Sequence, residues 1–248
     1  STFSAFTQKR KLPILYRVMS TNFSMMRTTF LLNLALVCFP ALSFSQFCDY
    51  PIGFGENATG GAGGTTYTVT TLADSGPGSL RAGLESTSTL MIDFAVSGTI
   101  LLNSEINIKS NKTVDGNGTY IRIRYRGFRI NGQHNVIIRN LHFDSDHQNH
   151  GGTGDAITII NGATDIWIDH CQFEDWYDGT VDITKESDYV TISWCKFRAH
   201  DKTILIGASD NDTQDAGKLH VTIHHCFFDD THQRLSLIHI SEPTRPED

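Results

Sequence analysis

No apolar run in the 248-residue chain reaches the roughly 18 residues that a membrane-spanning helix requires, so no stable membrane association is expected. Basic charge is in deficit: 20 Lys+Arg stand against 27 Asp+Glu, a formal net charge of −7. A protein of that sign lacks the basic face that gathers nucleic acid, so no nucleic-acid partner is expected. Charged residues make up only 19 % and apolar residues 39 %, a globular balance rather than a disordered one. The five cysteines include no Cys-x-x-Cys pair, which removes the usual zinc-site signature. Amphipathic helical stretches of about 10–15 residues are also missing between the strand-like segments, which argues against leucine-rich and helical repeats.

The two ends read differently from the middle. Met25-Met26-Arg27 precedes an apolar segment, Phe30 to Cys38, that is broken by Pro40 and followed by small residues at Ser43 and Ser45. A charged start, a short apolar core and a small-x-small exit read as a secretory signal peptide over residues 25–45, with Gln46 as the expected mature start. Residues 1–24 then read as leader upstream of it. At the other end, Leu235-Ser-Leu-Ile-His-Ile-Ser-Glu-Pro-Thr-Arg245 resembles translated sequencing-adapter sequence, so residues 235–248 are expected to be a foreign tail. The expected folded domain is residues 46–234.

Within it, four segments share one pattern: Val136-Ile-Ile-Arg-Asn-Leu-His-Phe143, Ile166-Trp-Ile-Asp-His-Cys-Gln-Phe173, Val190-Thr-Ile-Ser-Trp-Cys-Lys-Phe197 and Val221-Thr-Ile-His-His-Cys-Phe-Phe228. Apolar and polar residues alternate, as in a strand, and a Phe closes each unit. Recurrence every 24 to 31 residues without intervening helices predicts an all-β, parallel β-helix in which the inward Ile and Phe of each turn stack on the turn below. Upstream, Tyr67–Leu72 reads as a strand and Asp74–Gly78 as a turn. Ser79–Glu85 reads as a short capping helix with Ser79 as N-cap. Cys171, Cys195 and Cys226 hold one place in successive units and read as a column of buried thiols. Cys38 falls in the signal and Cys48 near the mature start.

Polar residues recur with the same phase. Asp155, Asp178, Lys202 and Arg234 are separated by 23, 24 and 32 residues, the last interval holding the polar insertion Asp210–Asp215. With turns of this length they stack on one face. Asp178 and Asp182, read as one strand, should point outward together while Val181 and Ile183 point inward. Three carboxylates from neighbouring turns are a hard-oxygen set suited to Ca²⁺. His224 and His225, adjacent in a strand, should face opposite sides. His170 and His225 fall at the turn beside the thiol column and are expected in core hydrogen bonding. His147 and His150 lie in a polar loop, Asp144 to Gly154, that could border a cleft. Trp167 and Trp194 read as packing or as sugar-stacking residues.

The motifs Gly53-Phe-Gly-Glu-Asn-Ala-Thr-Gly-Gly61, Gly154-Asp-Ala-Ile-Thr-Ile159, Ile166-Trp-Ile-Asp-His170, Asp178-Gly-Thr-Val-Asp182, Ser187-Asp-Tyr-Val-Thr-Ile-Ser-Trp194 and His224-His-Cys-Phe-Phe228 together resemble the pectate lyases of polysaccharide lyase family 1. The resemblance runs from about Pro51 to Arg234. It implies a right-handed, single-stranded parallel β-helix that cleaves polygalacturonate by Ca²⁺-dependent β-elimination, secreted and monomeric. It assigns Asp155, Asp178 and Asp182 to the metal, Lys202 to a substrate carboxylate and Arg234 to the base. A further Asp of some members is replaced by Thr153, and the column usually filled by Asn is read as carrying the three cysteines. The family pattern continues beyond Arg234 with a second arginine, which this chain lacks. Two rivals remain: a pectin lyase acting without Ca²⁺ on methylated polymer, and a noncatalytic adhesin or carbohydrate-binding β-helix.

Overall fold

The computed structural model describes residues 50–145, 154–209, 211–234 and 237–238. The expected leader and signal (residues 1–45), Cys48, His147, His150, Thr153 and most of the 235–248 tail lie outside the described residues. Every strand pairing among the described residues is parallel, and each strand pairs with the strand one turn on. Three sheets result. Seven strands, Thr65–Val69, Leu90–Phe94, Lys112–Asp115, His134–Arg139, Thr164–Asp169, Asp188–Ser193 and Val221–His224, form the first. The second runs through Ile106–Asn107, Phe128–Asn131, Ile157–Ile160, Val181–Ile183, Ile204–Ile206 and Leu237–Ile238. The third runs through Gly98–Leu101, Ile121–Arg124, His142–Asp144, Gln172–Glu174, Lys196–Lys202 and Phe227–Gln233. This is the expected parallel β-helix, wound in the right-handed sense that parallel crossovers take.

The repeated units explain the coil. Val136, Ile166, Val190 and Val221 are in register across four turns, and so are Phe143, Phe173, Phe197 and Phe228. Each unit is not one strand and a turn, however. It is two strands on two different sheets, joined at a corner whose residue is left-handed: Asn140 (φ 55°), His170 (50°), Trp194 (51°) and His225 (54°). The corner turns the chain so that the Ile of one sheet and the Phe of the next both point inward. The Phe rings then stack at centroid separations of 5.1, 5.0 and 5.0 Å, nearly parallel.

That corner corrects the reading of the Asn column. Asn140 aligns with His170, Trp194 and His225, not with the cysteines, which follow one residue later beside Leu141. Asn tolerates the left-handed region best; the bulkier residues here gain a ring stack instead, His170–Trp194 at 6.0 Å and Trp194–His225 at 4.3 Å. Cys171, Cys195 and Cys226 are free thiols as expected. Each points its Sγ to a carbonyl of the preceding turn, Ile138, Ile168 and Ile192 at 3.6–3.8 Å.

At the front, Leu80–Leu84 forms the expected helix; Ser79 Oγ accepts the Ala82 N–H at 3.2 Å, and Leu80 and Leu84 are buried. The preceding strand is Thr65–Val69, starting two residues and ending three residues earlier than read. The segment Phe54–Gly61 lies along the outside of the seven-stranded sheet. It is held by side chains projecting from that sheet: Thr222, Thr191, Asn135 and Thr113 all accept its backbone N–H groups. Gly61 fits there because a Cβ would meet the Leu90 carbonyl oxygen at 1.9 Å.

Candidate metal and catalytic site

The second sheet positions the predicted residues. Its outward column runs Asn107, Arg129, Thr158, Asp182 and Leu205, one residue per turn. Val181 and Ile183, on either side of Asp182, are fully buried. Asp155 sits two residues before its strand, Ile157–Ile160. Asp178 does not share a strand with Asp182: the strand begins at Val181, and Asp178 lies in the turn before it. The alternation argument for that pair therefore fails, although the turn still carries Asp178 to the same edge. Lys202 ends its strand one turn on. Arg234 follows on the next turn, its carbonyl accepting the Ile204 N–H at 2.6 Å.

The carboxylates crowd one another. Asp155 Oδ2 accepts the Thr158 hydroxyl at 2.9 Å, and Oδ1 accepts the Gly179 N–H at 3.0 Å. Burial raises its pKa against those two bonds, and Asp178 and Glu105 push the same way. Asp182 is pushed up to about 7, first by burial and then by Asp155, with Arg234 opposing. Arg234 Nη1 approaches Asp182 Oδ2 only to 4.0 Å. Asp182 Oδ1 is buried with no hydrogen-bond partner among the described residues. Lys202 Nζ instead holds Asp178 Oδ1 at 2.8 Å.

Gly179 lies between these groups. A Cβ there would meet Asp182 Oδ1 at 2.2 Å and Asp155 Oδ1 at 2.9 Å. Glycine thus keeps open the space onto which both oxygens point. Among the described residues, no three His, Cys, Asp or Glu side chains already converge as a metal-ligand group. Asp178 is bound to Lys202 instead. The set nevertheless suits a hard cation, with an orphaned buried oxygen, a raised carboxyl pKa and all-oxygen donors around a glycine-walled space. A cavity of about 380 Å³ opens beside it, lined by Trp176, Tyr177, Asp178, His200, Lys202 and His232.

Several neighbours were not singled out from the sequence. Thr158 and Arg129 share the outward register of Asp182, and the 24-residue step from Thr158 to Asp182 was a usable signal. Glu105, bound to Arg129 at 2.8 Å, comes from a loop with no repeat phase, so nothing in the sequence marked it. The His224–His225 reading is overturned. His225 turns left-handed at the strand end, which brings the two Nδ1 atoms to 2.8 Å rather than to opposite faces. His170 hydrogen-bonds, its Nδ1 lying 2.7 Å from Asp169 Oδ2, but it and His225 are exposed at the corner and not in the core as expected. Trp167 is buried and donates to Ser193 Oγ; Trp194 has imidazoles stacked against it from both neighbouring turns. Both indoles pack.

The family model described as pectate lyase matches residues 53–241. Pectate lyase 4 of Ambrosia artemisiifolia is 37 % identical over 204 residues, 74 % of this chain and 51 % of that protein. The pectate trisaccharide-lyase of Thermotoga maritima is 37 % identical over 209 residues, 77 % of this chain and 54 % of that protein. Among solved structures, the cedar pollen allergen jun a 1 superposes with a TM-score of 0.70 at 31 % identity, over 75 % of this chain and 60 % of that one. Pectate lyase Bsp165PelA from Bacillus sp. N165, in complex with trigalacturonate, gives 0.59 at 29 % identity, over 76 % and 64 %. The chain spans about half the length of the curated relatives it matches. Repeats, register and matched sequence lead to one assignment: the chain belongs to the pectate lyase family.

Proposed function

We propose that this chain carries the metal and catalytic residues of a secreted, monomeric pectate lyase. It would cleave α-1,4-linked polygalacturonate by Ca²⁺-dependent β-elimination. The observation that carries the reading is the Asp155–Asp182 pair around Gly179, with Asp182 Oδ1 buried and unpartnered while Lys202 and Arg234 stand at the rim. Asp155, Asp178 and Asp182 would hold the ion. When bound, Ca²⁺ supplies positive charge that stabilises the carbanion developing next to the uronate carboxylate. Lys202 exchanges Asp178 for a substrate carboxylate and orients the sugar. Arg234 takes the C5 proton; the C5–H electron pair becomes the C4=C5 double bond, and the C4–O pair leaves with the glycosidic oxygen, which is protonated by solvent. A guanidinium is a poor base in water, so its deprotonation requires the local cations. The trigalacturonate bound to the Bacillus relative supports the substrate class. Export through residues 25–45 belongs to this proposal.

The test is the absorbance of unsaturated uronate on polygalacturonate with and without Ca²⁺. Product should appear only with Ca²⁺ and should be lost in Asp182→Ala. Product from methylated pectin that survives chelation would instead support the pectin lyase reading, and no product from either polymer would favour a binding module.

A further inference from the structure

Asp178 lies in the turn Asp175–Thr180, outside any strand, so its carboxylate is only as well placed as that turn. The turn is gripped from the next coil. His200, 8 % exposed on strand Lys196–Lys202, places Nε2 2.5 Å from the Asp178 carbonyl oxygen. A carbonyl only accepts, so Nε2 carries the hydrogen and donates it. Lys202, two residues on and therefore on the same face of the strand, binds the carboxylate of that same Asp178 at 2.8 Å. The two grips differ in kind. Lys202 holds the side chain, a contact that must break if Asp178 is to turn toward an ion. His200 holds the backbone, a contact that such a turn leaves intact. Trp176, fully enclosed, ties the same turn to the Asp155 side by donating from Nε1 to the Gly154 carbonyl at 3.0 Å.

We infer that His200 is a positioning residue for ion binding: by fixing the Asp178 carbonyl it sets where the Asp178 carboxylate lies relative to Asp155 and Asp182. This rests on the Ca²⁺ reading above. It concerns a residue whose grip on the site is on the Asp178 backbone rather than on the ion.

The probe is Tb³⁺, a hard trivalent substitute for Ca²⁺, titrated into the full chain and followed by its Trp-sensitised luminescence. Wild type, His200→Leu, His200→Gln and Asp182→Ala are compared, with circular dichroism to establish folding. Loss of an outer-shell partner typically weakens metal binding about 10–100-fold. His200→Leu should lose at least about tenfold, the lower end of that range. His200→Gln, whose longer amide can donate to the same carbonyl, should recover most of the loss. Should His200→Leu fail to fold, His200→Asn replaces it: its shorter amide falls short of the carbonyl and should bind Tb³⁺ more weakly than His200→Gln. Unchanged affinity in His200→Leu, or in His200→Asn relative to His200→Gln, overturns the positioning role while leaving the ion site standing. Wild-type binding that Asp182→Ala does not reduce overturns the ion site, and this inference with it.

Discussion

At the residue scale the cradle depends on an absent methyl group. Gly179 lies outside the left-handed region, so Gly179→Ala introduces no backbone strain. Its cost comes from contact with the Asp182 and Asp155 oxygens, of the order of 1–3 kcal/mol for overpacking. Gly179→Ala should therefore fold but bind Ca²⁺ at least about tenfold more weakly, a loss of roughly 1.4 kcal/mol; calorimetric titration measures it. His142 gives a pH signature away from the site. Burial, then Arg122, holds its pKa below the ordinary 6.5, while Asp144 and Glu174 oppose and Arg124 adds to the lowering. Its Nδ1 lies 2.8 Å from the Tyr120 hydroxyl. Below pH 6.5 the unfolded chain binds the proton that the folded protein resists, so this contribution is lost as pH falls through the folded value. Relative to His142→Gln, wild type should therefore lose melting temperature as pH falls below about 6.5; a difference between the two proteins that does not change with pH would contradict the assignment. The sequence made Asp155, Asp182, Lys202 and Arg234 legible because repeat phase brings them to one edge. It hid Gly179, whose importance is the volume a side chain would fill, and His200, whose contact crosses between turns.

At the element scale the strands were readable and the corners were not. Alternation marks Val136, Ile166, Val190 and Val221, but nothing in a period of two announces the left-handed residue that splits each unit between two sheets. That omission accounts for two corrections together: His224 and His225 do not take opposite faces, and the Asn column falls on the corner rather than on the cysteines. Asp178 departs from the strand of Asp182 for another reason, the irregular turn that precedes Val181. The Phe ladder tests the stacking itself. Phe173 is fully buried with rings above and below, so Phe173→Ala should cost about 3–5 kcal/mol in urea unfolding. Phe228, at the last described rung of the Phe ladder and only partly buried, should cost clearly less. Equal losses would mean that the ladder does not carry the stability.

For the whole molecule, the net charge of −7 acquires a location. Some of that acidity is a solvated surface, but Asp155 and Asp182 are carboxylates forced together in a mostly buried space, an arrangement that destabilises the chain on its own. Cation binding to the folded state alone offsets such a cost by mass action, about 2.7 kcal/mol at a hundredfold excess over Kd. The most direct measurement is therefore thermal unfolding at pH 8 of wild type and Asp182→Asn, each with and without Ca²⁺. Without Ca²⁺, Asp182→Asn should melt higher than wild type, because one of two opposed charges is gone. With Ca²⁺, the wild type should rise and Asp182→Asn should stay where it was. A lower metal-free melting temperature in Asp182→Asn, or an equal Ca²⁺ shift in both proteins, would contradict a carboxylate pair built to hold a cation.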